Sequence, residues 1–259
     1  MRAQRGGGKN DSSIPGNHLF FLASAGFAFA VLAAIAGILS GFGTKWGWWP
    51  FTSGFMILKW AAYAGLVAAA ASLAGGIVTR PGSLRRGFAL SASGIILGLV
   101  MAGIPWSWMH KAQELPRIHD ITTDAEDPPR FTAVLLLRKN ARNSPEYGGP
   151  RIAEQQQAAY PDIKPLLLTM PQAQAFDRAL ATARSMGWLI VDANPGEGRI
   201  EATDTTFWFG FKDDVVVRVT AAPVGSRVDV RSESRVGLSD IGTNAARIRS
   251  FLSKLAHAG

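Results

Sequence analysis

Leu19 to Phe42 is a run of 24 residues without one charged side chain, and it constrains this chain more than any other stretch. At about 1.5 Å per residue, a helix of that length reaches roughly 36 Å, enough to cross a bilayer core with some tilt. The run is too long for the apolar core of a cleaved signal peptide, and no small-residue cleavage site follows a short core. Two further apolar runs follow, Phe55–Val78 and Phe88–Ile104, the last closed by Pro105, Trp106 and Trp108. The pattern predicts three transmembrane helices, at 19–42, 55–78 and 88–104, forming an anchor over 18–110 behind a flexible basic tail at 1–17. Small residues recur in all three (Ala33 and Ala34, Ala68 to Ala71, Gly94 and Gly98) and let helices approach closely. The lipid bilayer is therefore the first expected partner.

The details of these runs bear on function. TKWGWWP, from Thr44 to Pro50, reads as an interfacial aromatic belt, because Trp rings favour headgroup depth. Lys59 lies one turn inside the second predicted span; a snorkelling stem explains it more simply than a transport role. None of the spans carries an acidic residue, which argues against a proton relay or ion pathway.

The net charge of +8 invites a nucleic-acid reading, but its distribution excludes one. Residues 1–106 carry eight Lys/Arg and only Asp11, giving +7, whereas 107–259 carry nineteen Lys/Arg against eighteen Asp/Glu, giving +1. The excess sits beside the apolar runs and is a topology signal. Arg2, Arg5 and Lys9 mark the tail, and Arg80, Arg85 and Arg86 the turn at 79–86, while the 43–54 loop has only Lys45. The positive-inside rule then predicts a multi-pass inner-membrane protein with a cytoplasmic N-terminus. Three crossings put residues 107–259 outside the cytoplasm, in a Gram-negative periplasm. With no cysteine in the chain, disulfides, thiolate metal sites and a cysteine nucleophile are excluded.

Residues 111–259 read as a soluble α+β domain. Pro116, Pro128 and Pro129 punctuate an extended, ordered loop from Pro116 to Phe131. Within it His119, Asp120, Asp124, Glu126 and Asp127 crowd together, yet without the spacing of a calcium loop, so no metal or cofactor is predicted. Phe131–Leu137 is a strand or a packed segment, Glu154–Ala159 a helical turn and Asp162–Leu168 an extended piece. Pro171–Met186 has a helical apolar stripe with Thr169 as a possible N-cap and Gly187 as its stop. Four strands follow, at 188–193, 199–206, 214–221 and 227–235, with the aromatic connection FWFGFK (Phe207–Lys212) between the second and third. Short turns between neighbours favour an antiparallel meander. A last helix runs from about Gly242 to His257. The expected fold is thus an extracytoplasmic antiparallel sheet of about four strands with flanking helices, behind a three-helix membrane anchor.

Arg227–Phe251 is the densest run of specific polar residues. Strand alternation puts Val228, Val230, Ser232 and Ser234 on one face, and Arg227, Asp229, Arg231, Glu233 and Arg235 on the other. The second set is expected as surface ion pairs, worth about 0–1 kcal/mol each. On the helix Asp240, Asn244, Arg247 and Phe251 form a stripe beside the apolar face, and Asp240 or Thr243 caps its start. Two uses compete for this cluster. One is a network pinning the helix to the sheet. The other is an anion-binding site of Ser232, Ser234, Asp240, Asn244 and Arg247, which Arg231 and Arg235 join only if the strand twists or bulges there. Ser232 or Ser234 with Asp240 lacks a placed histidine for hydrolase chemistry.

The pattern R-S-x-S-R-x-G-x-S-D-x-G-x-N-A-x-R-I, from Arg231 to Ile248, resembles the signature of the domain of unknown function 1499 family. The segments HDITTDAEDPPRF, EYGG, GRIEATDTT and FGFKDDVVVRV upstream are similar to it too. The resemblance covers about residues 116–255, and the three-span anchor resembles a bacterial subset. Relatives often show an Asn-Cys segment where this chain has Asn140–Ser144. The resemblance implies domain bounds and no activity. The sequence therefore leads to a non-catalytic inner-membrane protein whose periplasmic domain binds an envelope ligand or protein. The alternative is an envelope hydrolase that sets the His119/Asp120/Asp124 loop against the Arg231–Arg247 cluster.

Overall fold

The computed structural model describes residues 16–79 and 85–257. The chain divides into two compact units, Met1–Gly41 with Trp49–Trp106, and Phe42–Trp48 with Ser107–Gly259. The basic residues of the tail and Arg80 of the predicted turn lie outside the described residues.

The first unit is built on α1 (Gly16–Lys45), α2 (Phe51–Val78) and the first part of α3 (Arg85–Glu114). All three helices are long and apolar enough to cross a membrane. Its packing inverts that of a water-soluble bundle. Ala23, Ala30, Ala33, Ala61, Ala68 and Ala69 are buried, whereas Leu32, Ile35, Ile38, Leu66 and Ile96 face outward. Lipid-embedded helices associate in this way, through small residues that let backbones touch. A Cβ on Gly65 would stand 2.8 Å from the carbonyl oxygen of Gly98, and one on Gly98 would overlap the carbonyl oxygen of Gly65.

Two sequence expectations need correction here. α2 starts at Phe51, so Lys59, exposed on the helix surface, lies about 12 Å or two turns inside it rather than one. Pro105 does not end the third helix, which runs on to Glu114. A proline removes one N–H and one intrahelical bond; the residues after it keep theirs and continue the helix.

In the second unit the elements run β1 (Asp120–Thr122), a 3-10 helix (Ala133–Leu137), α4 (Pro150–Ala159), β2 (Leu166–Leu168), α5 (Gln172–Ser185), β3 (Leu189–Asn194), β4 (Arg199–Thr205), β5 (Lys212–Ala221), β6 (Ser226–Ser234) and α6 (Thr243–His257). The sheet order is β1-β6-β5-β4-β3, antiparallel throughout, and β2 pairs with β6 on the edge that β1 also lines. The four strands expected from alternation form the meander β3 to β6. β1 and β2 are too short for a periodic signal and form only because β6 offers them its outer edge. α5 begins after Pro171, which has no side-chain cap bond, so Thr169 is not its N-cap. The segment expected as a strand or packed piece at Phe131–Leu137 forms the 3-10 helix. β3 is an outer strand, with a bulge between Ile190 and Asp192.

Register sorts the side chains into two layers. Ile200, Ala202, Val215, Val217, Val219, Val228 and Val230 meet Phe176 and Ala179 of α5 and Ile248, Phe251 and Leu255 of α6 in one apolar core. Trp188 stacks on Phe251 with ring centroids 5.1 Å apart. The opposite face lies under the segment that carries the 3-10 helix. Phe131, Val134 and Val216 make a small apolar cluster there. The rest of that face is charged. Asp229, Arg231 and Glu233, expected on the surface, are buried. Alternation told the faces apart correctly, but their solvation depends on what covers them.

Candidate functional site

The polar residues of the signature meet where β4 ends, β5 begins and β6 ends. They form two clusters, back to back through the sheet.

On the helix side the register sets Asp204 opposite Asp213, and Asp213 opposite Ser234. Two carboxylates facing each other across strands repel unless a cation stands between them. Arg247 of α6 supplies it. Its Nε donates to Asp204 at 2.7 Å, and its Nη2 to Asp213 at 2.6 Å. Nη1 donates to Ser232 Oγ at 3.0 Å and to Asn244 Oδ1. Burial pulls the guanidinium down, but Asp213 and Asp204 outweigh it and hold Arg247 above its ordinary value. Asn244 Nδ2 donates to the His119 carbonyl at 2.9 Å and to Ser234 Oγ at 3.0 Å, while Asn244 Oδ1 accepts from Ser232 Oγ at 2.7 Å. The Asp240 carboxylate accepts the backbone N–H groups of Gly242 at 2.9 Å and Asn244 at 2.7 Å. It thus caps α6, where a negative charge meets the positive end of the helix dipole. Burial raises the Asp240 carboxyl despite those two bonds. Ile241, next to it, adopts φ 53°, a left-handed conformation that a β-branched residue rarely takes.

On the other face, Thr203, Asp214, Glu233 and Asp120 form one cross-strand row over β4, β5, β6 and β1. Three carboxylates on adjacent strands, about 4.8 Å apart, need compensation, and three arginines provide it. Arg138 donates to Asp214 at 2.7 Å and Glu233 at 2.9 Å. Arg235 grips both oxygens of Asp214, at 2.7 and 2.9 Å, and also donates to Thr203 Oγ1 at 3.1 Å. Arg231 takes Asp120 in a fork of 2.9 and 2.8 Å. Its guanidinium carbon lies 4.8 Å from the Phe131 ring centroid and 5.6 Å from that of Tyr147. Glu233 Oε2 and the Tyr147 hydroxyl are buried without a hydrogen-bond partner among the described residues. Burial first, then the Asp120 charge, push Glu233 up to about 8, and the same two causes push Tyr147 up to about 12. Burial also raises Asp120, although Arg231 pulls the other way.

Farther along this face, Asp124 receives Arg227 at 2.8 Å and Arg218 at 3.1 Å. The buried Glu201 carboxylate accepts the N–H groups of Thr132, Ala133 and Val134 at 2.9 to 3.1 Å. That fixes the start of the 3-10 helix over the sheet.

The structure therefore brings Ser232, Ser234, Asp240, Asn244 and Arg247 together on the helix side and places Arg231 and Arg235 on the other. The His119/Asp120/Asp124 loop does not act as one group. The His119 carbonyl serves the helix-side cluster, Asp120 goes to Arg231, and Asp124 goes to Arg218 and Arg227. Among the described residues no three His, Asp or Glu side chains are grouped to hold a metal ion. Arg138, Asp204, Asp213, Asp214, Glu233 and Tyr147 were missed as participants. Asp213-Asp214 at a strand start carried a signal, since adjacent strand residues point to opposite faces; Arg138, in a loop, carried none.

Residues 120–255 match a family described as proteins of unknown function, DUF1499. The chain belongs to that family. The match begins at Asp120 of one cluster and runs past Arg247 of the other, so both clusters fall within the DUF1499 domain, while α1 and α2 lie outside it. No curated protein matches the chain.

Proposed function

We propose that this DUF1499 protein is a non-catalytic inner-membrane protein, with a cytoplasmic N-terminus and a periplasmic domain that binds an envelope ligand or protein. The observation that supports this is the internal commitment of its charges. Arg247 holds Asp204 and Asp213, Arg231 holds Asp120, and Arg138 and Arg235 hold Asp214. A guanidinium fork already closed on a carboxylate has little left for an anionic substrate. In neither cluster does a serine hydroxyl face a histidine base, and Ser232 donates its proton to Asn244. The polar residues build a frame, which leaves recognition to the outer surface.

The basic residues beside the apolar runs support the orientation. Alkaline phosphatase fused after Gly259 is expected to be active and a green fluorescent protein at the same point dark; the reverse result overturns the placement. For binding, full-length protein in detergent is screened by thermal shift against envelope metabolites, peptidoglycan fragments and metal ions. A saturable rise in Tm without turnover is expected. Turnover of an ester, amide or phosphoester that Arg247→Met abolishes and Glu126→Gln leaves intact would overturn the non-catalytic reading.

A further inference from the structure

One end of the sheet carries an apolar rim that the fold does not use. β3 starts there at Leu189, β4 ends at Thr205, β5 starts at Lys212 and β6 ends at Ser234. Phe207 and Leu238, in the loops at this end, are 77% and 75% exposed, and Leu136 of the 3-10 helix is 76% exposed. Leu135, Leu137 and Leu189 are exposed beside them. The 3-10 helix is tied to this end, because Arg235 donates to the Leu137 carbonyl at 3.0 Å and Asn143 to that of Gly237 at 2.9 Å. The ionisable residues of segments 133–143, 206–212 and 236–239 are Arg138, Lys139, Arg142 and Lys212, all basic, and the last three are exposed.

The same unit contains Phe42–Trp48, which closes the first apolar span. Phe207 meets the Phe42 ring edge-on with centroids 5.5 Å apart, and Lys45 Nζ donates to the Phe207 carbonyl at 3.0 Å. Gly210 permits this approach: it has φ 69°, and a Cβ there would stand 2.8 Å from Lys45 Cγ. Trp46, which stacks on Phe42, and Trp48 are exposed. Exposed aromatic and leucine side chains interleaved with lysine and arginine, in loop segments that hold no Asp or Glu, match the chemistry of a bilayer interface with anionic headgroups.

We propose that this rim is a lipid-binding surface. Phe207, Leu136, Leu189 and Leu238 insert at headgroup depth, and Lys139, Arg142 and Lys212 face anionic headgroups. The domain then meets the bilayer by a defined end. The inference rests on the membrane-spanning part of the proposed function and is independent of which side the domain occupies.

The absence of cysteine makes the test direct. Single-cysteine variants Phe207→Cys, Leu136→Cys and Leu238→Cys carry an environment-sensitive fluorophore in the full chain. The chain is reconstituted in vesicles of phosphatidylethanolamine and phosphatidylglycerol containing a lipid quencher. Val224→Cys is the control, 77% exposed in the turn before β6 at the opposite end of the sheet, and Leu32→Cys reports the first span. Quenching at the three rim positions at least about twofold above Val224 is expected for side chains at the interface. Rim quenching equal to that of Val224, with Leu32 quenched, overturns the lipid-binding rim and leaves the spans standing. An unquenched Leu32 overturns the membrane reading itself. The vesicles hold lipid and this chain only, so quenching cannot come from another protein.

Discussion

Replacing Arg247 by methionine separates a clasp from a pocket. The arginine side chain is 4% exposed and its partner Asp213 3%. Methionine roughly fills the stem volume but withdraws the guanidinium. Asp213 is then left buried opposite Asp204, while Ser232 Oγ and Asn244 Oδ1 each lose a donor. Breaking one side of a buried pair costs about 3–5 kcal/mol, mostly the penalty of the stranded charge. The loss falls on the docking of α6, since Arg247 is the residue that ties the helix to β4 and β5 through charge. Hydrogen exchange of α6 amides in the reconstituted chain measures it. At about 1.4 kcal/mol per decade, a cost of about 3 kcal/mol raises local opening roughly a hundredfold. Adding Asp213→Asn removes the stranded charge and is expected to recover about half of that loss. If Arg247→Met shifts α6 exchange by less than about threefold, the ion pairs do not hold the helix and the arginine is free to serve a ligand.

Three further outcomes follow from the geometry. The folded Glu233 carboxyl, raised from 4.5 to about 8, keeps a proton that the unfolded chain releases above its own value. Its contribution to stability is therefore full below about pH 4.5 and is lost as pH rises to about 8; Glu233→Gln should flatten the fall in Tm between about pH 6 and about pH 9, and an unchanged slope would show that Glu233 is ionised in the fold. Gly98→Val puts a branched side chain onto the Gly65 carbonyl and is expected to loosen the α2–α3 contact, read as a lower Tm in detergent, whereas Gly103→Val, with open space around it, should leave Tm within about 1 °C for lack of any packing clash. Glu201→Ala strands the N–H groups of Thr132, Ala133 and Val134 at a cost of about 1–3 kcal/mol for each that water cannot reach, so protease cleavage within 132–143 should rise without a comparable change in α5.

The parts of this fold legible from sequence were those with a period or a length. The three long apolar helices are plain from runs that hold at most one charged side chain, Lys59. The division of Arg231 and Arg235 from Ser232 and Ser234 followed from strand alternation alone. The burial of Arg231 and Glu233 did not, because their cover comes from a proline-rich segment with no periodicity of its own. The facing of Asp204 and Asp213 was equally hidden: it depends on the register that the 206–211 loop imposes on β4 and β5. Pro105 costs α3 one hydrogen bond without ending it, and sequence alone does not separate those two outcomes.

β6 alternates arginine and serine at its end, and each set is held from its own side. Arg231 and Arg235 are gripped by Asp120 and Asp214, while Ser232 and Ser234 are gripped by Arg247 and Asn244. A slip of one residue would turn every one of these side chains to the wrong layer. The guanidinium groups would be turned toward Arg247, and the hydroxyls toward Asp120 and Asp214, which would lose Arg231 and Arg235. The R-S-x-S-R segment therefore works as a key cut on both edges, which fits one alignment of the strand and rejects its neighbours. Its two wards lie far apart in the chain, at Asp120 and Arg247. The strand cannot be locked until both ends of the domain have arrived, so the first and last segments of the domain must set together.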